Sequence, residues 1–232
     1  MRLSQEHAIA AALDALGIDY GSTVVVASVS PGGPAEGVLE PGDELLEIDG
    51  EPVATDPELR AAIQAAGTGA EVELGIRRDG VARTVTLTTA PRSEEDPSPV
   101  IGVVPGAAYD FPVEVEIRLG DVGGPSAGMM FALGLYDTLT PGALVGGQHV
   151  AGTGTITADG AIGAIGGVRQ KMYGARDAGA SWFLLPAANC AHVDEVPDGL
   201  TVFAVETLDE ALQVVAAIGD GAPTGAFAGC ER

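Results

Sequence analysis

Apolar positions along this chain change period several times, and each change marks an element. Over residues 4–16, Ala8, Ile9, Ala12, Leu13 and Leu16 recur at helical spacing and predict an amphipathic helix. Residues 24–29 form an apolar run of strand length, and Leu45, Leu46 and Ile48 supply a second strand that stops at Asp49-Gly50. Asp56-Pro57-Glu58-Leu59 opens a helix to about residue 66, with an N-cap, a proline at the first helical position and an acid in the first turn. Alternation returns over 71–78 and 81–88, and the intervening Asp79-Gly80 predicts a hairpin.

A charged, proline-rich stretch, 91–99, has the composition of a linker. It separates a first module, residues 1–90 including the N-terminal helix, from a second, residues 100–219. In the second module, 113–119 alternate as a strand and 120–125 form a glycine-rich turn. An apolar helix then begins at Ser126. Further on, Val168, Met172, Ala175 and Ala178 share one face of a helix closed by Gly179. From residue 220 to 232 the periodicity is lost, which predicts a frayed or disordered tail.

Composition removes several classes of function. A net charge of −22 and a pI near 4.1 argue against nucleic acid or an anionic membrane as a partner. The three histidines are scattered and the two cysteines, Cys190 and Cys230, lack metal-ligand spacing, so no metal or other cofactor is expected and both cysteines read as free thiols. A phosphate-binding loop needs Gly-Lys-Ser/Thr, which is absent, so no nucleotide is expected. No run of about eighteen apolar residues is present to span a bilayer, and no signal peptide is visible.

One residue stands out. Lys171 is the chain's single lysine beside ten arginines. Arginine supplies a fixed charge at any working pH, whereas a desolvated lysine amine can lose its proton and act as a base. Lys171 lies between Ala175 and Ala178 on the apolar side of its helix. That placement leaves two readings: a stem that snorkels past apolar neighbours, or a partly buried amine with a lowered pKa. Ser126 carries a similar ambiguity. It is either a plain N-cap or a nucleophile at a helix start, where free N–H groups favour an oxyanion.

Three motifs narrow the choice. Gly124-Pro125-Ser126-Ala127-Gly128, Gly152-Thr153-Gly154-Thr155-Ile156 and Ile165-Gly166-Gly167-Val168-Arg169-Gln170-Lys171 resemble, in order and spacing, the proteolytic domain of Lon proteases. Ala178-Gly179-Ala180 and Leu184-Leu185-Pro186-Ala187-Ala188-Asn189 continue the likeness, which covers about residues 100–218. The resemblance implies Ser126 as nucleophile, Lys171 as its general base and Thr153 as the hydroxyl that hydrogen-bonds the lysine. It also implies a homo-oligomer. Lon proteases with an ATPase usually carry Lys-Asp just before Gly-Pro-Ser. Here Val122 and Gly123 stand there, the nearest acid is Asp121, and the aspartate's role is not carried over. Gly124 to Gly128 also satisfy the G-x-S-x-G pattern of α/β-hydrolases, a rival reading that needs His149 or His192 as its histidine.

In the first module, residues 30–53, from Ser30-Pro31-Gly32-Gly33-Pro34 through Pro41-Gly42-Asp43 to Asp49-Gly50-Glu51-Pro52-Val53, resemble a PDZ domain of the bacterial protease type. PDZ domains take an extended peptide as an added strand. By resemblance the groove lies between Val24, Val25 and Val26 on the strand and Leu59 and Ile63 on the helix, with Leu16-Gly17-Ile18 as a candidate carboxylate loop. The fold expected is α+β: a PDZ-like, partly open β-barrel or sandwich with two helices, followed by a Lon-protease-type α/β domain. The function expected is an ATP-independent serine endopeptidase whose PDZ domain recruits or gates protein and peptide substrates. The alternative is a PDZ adaptor with a silent protease domain. Proteins that join these modules imply a membrane anchor outside this chain and a protease outside the cytoplasm.

Overall fold

A computed structural model describes residues 2–116 and 124–230. The helical spacing near the N-terminus produces α1 (Arg2–Ala15). The chain divides into two units, one of Gly21–Asp110 and the other of Met1–Tyr20 with Phe111–Arg232. Mixed helix and sheet, as expected, make up both.

In the unit Gly21–Asp110 the valine run becomes β1 (Gly21–Val29), followed by β2 (Glu44–Ile48) and the short β3 (Glu51–Pro52). The helix α2 (Asp56–Ala66) starts one residue earlier than an Asp56 cap would allow. Thr55 is the cap, in a capping box with Glu58, and Pro57 follows in the first turn. Next come β4 (Glu71–Arg78), β5 (Val81–Thr88), β6 (Ala90–Pro91), β7 (Pro99–Val100) and β8 (Val103–Asp110). The β4–β5 hairpin turns on Asp79 and Gly80 with φ of 53° and 77°, the pair of positive values that matches strand twist. The sheet order is β5-β4-β2-β1-β8, with β3 beside β2. Val24, Val26, Leu45, Ile48, Leu59, Ile63, Leu74, Ile76 and Ile101 form its core. On one side Arg78 donates to both carboxylate oxygens of Asp43 at 2.6 Å, to Glu40 at 2.6 Å and to the Val38 carbonyl at 2.9 Å.

The other unit adds α3 (Gly128–Leu139), β9 (Val150–Gly152), β10 (Thr155–Ile156), β11 (Ile162–Gly163) and α4 (Val168–Asp177). Then follow β12 (Trp182–Pro186), a 3-10 helix at Ala187–His192, β13 (Thr201–Val205) and α5 (Leu208–Gly219). Strands β13, β12 and β9 form a parallel sheet in that order. The central strand β12 is buried on both faces, which is why it reads as an unbroken apolar run. Leu184 faces a core built from α1, α3 and α5, while Phe183 and Leu185 face one built with Val168 and Met172 of α4.

Several boundaries depart from the sequence pattern. The N-terminal helix belongs with the second unit, because the small side chains of Ala8, Ala11 and Ala12 pack with Met129, Ala132 and Leu133. The stretch 91–99 is a folded excursion: β6 pairs with β7, Arg92 N–H bonds the Ser98 carbonyl, and β8 then joins β1, so the first unit extends to Asp110. The strand expected at 113–119 is absent over 113–116, and 117–119 lie outside the described residues. The segment up to Cys230 is tied down rather than frayed, and 231–232 lie outside the described residues. Phe227 packs edge-on against Phe203, Ala204 N–H bonds the Ala228 carbonyl, and Cys230 forms a disulfide with Cys190, so neither cysteine is free. Among the described residues no helix is long and apolar enough to cross a membrane.

Candidate active site

Ser126 lies in the turn that leads into α3, and the helix begins at Gly128 with Ala127, not Ser126, in the cap position. The Ser126 side chain is thereby left for other partners. Its backbone is held from two sides. Thr153 Oγ1 donates to the Ser126 carbonyl at 2.9 Å, and Gly154 N–H donates to the same oxygen at 2.8 Å. The Met129 amide returns a bond to the Gly154 carbonyl at 3.1 Å, so the Gly152–Ile156 segment and the first turn of α3 are stitched together. Gly128 permits this approach, since a Cβ there would sit 2.9 Å from Ile156 Cγ2. Ser4 of α1 donates to the Pro125 carbonyl at 3.4 Å, so the N-terminal helix also touches the loop before the serine.

The second half of the site arrives on α4. Gly167, with φ of 71°, turns the chain into the helix, and the Lys171 amide bonds the Gly167 carbonyl at 3.1 Å. Val168 and Met172 anchor the buried face. Lys171 is directed to the site: its Nζ donates to Ser126 Oγ at 2.7 Å and to Thr153 Oγ1 at 3.1 Å. The Thr153 hydroxyl gives its single hydrogen to the Ser126 carbonyl and receives the lysine on a lone pair, so one buried side chain fixes both partners. Burial pushes the Lys171 amine below its ordinary pKa. Ser126, Thr153 and Lys171 therefore meet at one point, with a hydroxyl and an amine at hydrogen-bond distance in a partly desolvated setting. Such a pair can pass a proton from the hydroxyl to the amine once the amine is neutral.

A brace behind α4 escaped the sequence reading. Asn189 is buried, and its side chain grips one backbone residue twice: Ile165 N–H donates to Oδ1 and Nδ2 donates to the Ile165 carbonyl, both at 2.9 Å. Ile165 lies in the loop that starts the lysine helix. Cys190, the next residue, is the one bonded to Cys230. The available signals were an asparagine closing the Leu184 to Asn189 motif and an even number of cysteines, neither of which names its partner.

The rival hydrolase arrangement is not assembled. His149 and His192 are exposed, and the Ser126 hydroxyl is bonded to Lys171. Asp121, Val122 and Gly123 lie outside the described residues. Among the described residues no group of three or more His, Cys, Asp or Glu side chains is placed to hold a metal ion.

The proposed peptide groove residues fall in the other unit. Val24, Val26, Leu59 and Ile63 are buried in its core, and Val25 is half-buried. Both edges of β1 are paired, with β2 through Val24–Leu45 and Val25–Glu44, and with β8 from Gly21–Asp110 to Val29–Val103.

Comparison with known proteins also finds two modules, with bounds that differ from those of the two units. Residues 112–217 match the family model described as the Lon protease (S16) C-terminal proteolytic domain, and residues 3–89 match the PDZ domain family. The chain joins a PDZ domain to a Lon-type proteolytic domain. The match to the PDZ family takes in α1, which packs in the proteolytic unit. Over 110 residues the Lon-type region is 37% identical to Lon protease 2 of Herpetosiphon aurantiacus, covering 44% of this chain and 13% of that protein. It is 41% identical over 106 residues to Lon protease 1 of Sorangium cellulosum, covering 43% of this chain and again 13% of the relative. The chain thus spans about an eighth of the length of these Lon proteases, 13% in both cases. A crystal structure of the PDZ domain of an SdrC-like protein from Listeria monocytogenes aligns over 35% of this chain and 85% of that one, at 26% identity and a TM-score of 0.33.

Proposed function

We propose that this chain is a serine endopeptidase that cleaves peptide bonds through a Ser126–Lys171 dyad, without ATP. The observation that carries the reading is the 2.7 Å contact between Lys171 Nζ and Ser126 Oγ. Ser126 Oγ attacks the scissile carbonyl while neutral Lys171 takes its proton. Backbone amides at the start of α3 stabilise the oxyanion, and Lys171 returns the proton to the leaving amine. Water then hydrolyses the acyl-enzyme by the same proton route. Thr153 keeps the amine aimed at the hydroxyl. ATP independence is supported by the absence of a Gly-Lys-Ser/Thr phosphate loop from the sequence. The PDZ domain recruits or gates extended protein and peptide substrates.

The Cys190–Cys230 pairing supports an oxidising compartment, and with it a protease outside the cytoplasm whose anchor lies beyond this chain. Homo-oligomerisation, carried over from the Lon resemblance, is read by measuring mass in solution. The catalytic reading is tested by casein cleavage with the natural chain, Ser126→Ala and Lys171→Ala. Loss of cleavage in both variants is expected. Equal rates in all three would instead leave a PDZ adaptor with a silent protease domain.

A further inference from the structure

The proteolytic unit is discontinuous in sequence. The chain enters it as α1, leaves at Gly21 for the PDZ unit and returns at Phe111. Tyr20 and Phe111 flank that excursion, and their ring centroids lie 5.4 Å apart, so the two ends of the unit meet. A helix that precedes the PDZ domain is thus built into the unit that carries the dyad. Ala8, Ala11 and Ala12 enter the core with Met129, Ala132 and Leu133 of α3, and every residue from Ala8 to Leu13 is buried. The first turn of the same helix reaches the loop before α3, through Ser4.

Ser4 is 8% exposed, and its hydroxyl donates to the Pro125 carbonyl at 3.4 Å. A buried hydroxyl is destabilising unless it is bonded, so a residue that only filled space here would be alanine, as its helix neighbours are. The oxygen it reaches belongs to the peptide group immediately before Ser126. Gly128 N–H donates to that oxygen too, at 3.2 Å. The peptide group immediately after Ser126 is held through its own oxygen by Thr153 and Gly154. Both peptide planes that flank the Ser126 Cα are therefore pinned, one of them from α1 and the other from the Gly152–Ile156 segment. A trans peptide group is planar, with its N–H pointing away from its carbonyl oxygen. Holding the Pro125 oxygen thus aims the Ser126 N–H, and holding the Ser126 oxygen aims the Ala127 N–H. Among the described residues neither of these amides donates to a backbone carbonyl. The junction is also tight. A Cβ on Gly128 would stand 3.3 Å from Ser4 Oγ and 2.9 Å from Ile156 Cγ2, so α1, α3 and β10 converge beside the serine.

We propose that Ser4 is a positioning residue for the Ser126 nucleophile: from α1 it fixes the Pro125–Ser126 peptide group, and with it the direction of the Ser126 hydroxyl and amide. The helix ahead of the PDZ domain is then a working part of the protease. This rests on the dyad reading proposed above.

The test measures peptide cleavage by the whole chain in its natural form and as Ser4→Ala, Ser4→Thr and Ser126→Ala. The bond is long at 3.4 Å, so the expected effect is about three- to tenfold, within the reach of one hydrogen bond. Ser4→Ala is expected to lower kcat by that factor, with KM and melting temperature unchanged. A peptide boronate, which forms a tetrahedral adduct on a serine hydroxyl, is expected to lose affinity by a similar factor, because the adduct needs the same hydroxyl and amide directions. Ser4→Thr keeps the hydroxyl and is expected to recover most of the loss. An unchanged kcat in Ser4→Ala, or an equal loss in Ser4→Thr, would overturn the proposal, as would a loss confined to KM or matched by a lower melting temperature. Amide NMR adds a readout that needs no turnover. The Ser126 and Ala127 signals are expected to shift in Ser4→Ala while those of β4 and β5 stay in place, and unmoved Ser126 and Ala127 signals would count against positioning. Ser126→Ala keeps the two readings apart. If it cleaves as fast as the natural chain, the dyad fails and the role of Ser4 fails with it. If it is inactive while Ser4→Ala keeps full kcat, the dyad stands and only the role of Ser4 falls.

Discussion

A lysine acts as a base only while neutral, so in the proposed mechanism the surroundings of Lys171 set the pH at which Ser126 can be activated. Burial lowers its pKa from the ordinary lysine value of 10.5. The neutral fraction therefore grows at lower pH than in an exposed lysine, and kcat is expected to rise with pH along a limb centred below that value. Because the chain has one lysine, its ε-carbon gives a single NMR signal whose titration must follow the same limb. A midpoint at or above the exposed value would end the base assignment. Lys171→Arg keeps the charge but cannot release a proton, so activity is expected to fall on the order of 10³-fold or more, the scale set by loss of a member of a catalytic triad. Thr153→Val removes the hydroxyl that joins Nζ to the Ser126 carbonyl. A drop of about 10²-fold in kcat with little change in KM is expected from misaiming alone, and an unchanged kcat would separate Thr153 from the chemistry. The meeting of Ser126, Thr153 and Lys171 was legible in the sequence because each stands inside a local motif. Asn189 was not, because its work is done on the backbone of Ile165, a partner that sequence distance does not reveal.

At the scale of elements, strength varies along the PDZ sheet. The Asp43 carboxylate is almost fully buried against Arg78, whose hydrogen bonds hold its pKa below the ordinary range. A carboxylate with a depressed folded pKa stabilises the fold above its unfolded pKa and loses that contribution as pH falls through the folded one. Acid is therefore expected to weaken this unit below the usual aspartate range. Asp43→Asn, which removes the buried charge but leaves Arg78 bonded to Glu40 and the Val38 carbonyl, is expected to cost about 1.5–3 kcal/mol in urea unfolding, the scale of a hydrogen bond to a charged group. A loss under about 1 kcal/mol, the size of an exposed ion pair, would show the pair to be solvated. The hairpin around Asp79-Gly80 and the capped helix α2 were readable because their signals are local. Two other elements were misread for opposite reasons. The alanine-rich face of α1 carries no mark of which core it will enter, and β8 hides behind Pro105 and Gly106, residues that argue against a strand.

For the whole molecule, the division into two units means that a perturbation of one core should be read separately from the other. The Cys190–Cys230 bond closes a loop across a separation of 40 residues inside the proteolytic unit. In the chain-entropy picture a loop of that length is worth about 3–4 kcal/mol. Reduction, or Cys230→Ser, is expected to lower the melting temperature of that unit while peptide binding by the PDZ domain stays unchanged. A parallel loss in both would show that the units do not melt separately. The same bond has a consequence in time. During synthesis Cys190 leads Cys230 by 40 residues, about 2–8 s at ordinary rates of translation. Throughout that interval Ser126, Thr153 and Lys171 already exist, while the segment that grips the start of the lysine helix has no covalent tie. Completion of the brace waits for later synthesis and for an oxidant, so the newborn chain has an interval before the start of the lysine helix is locked in place.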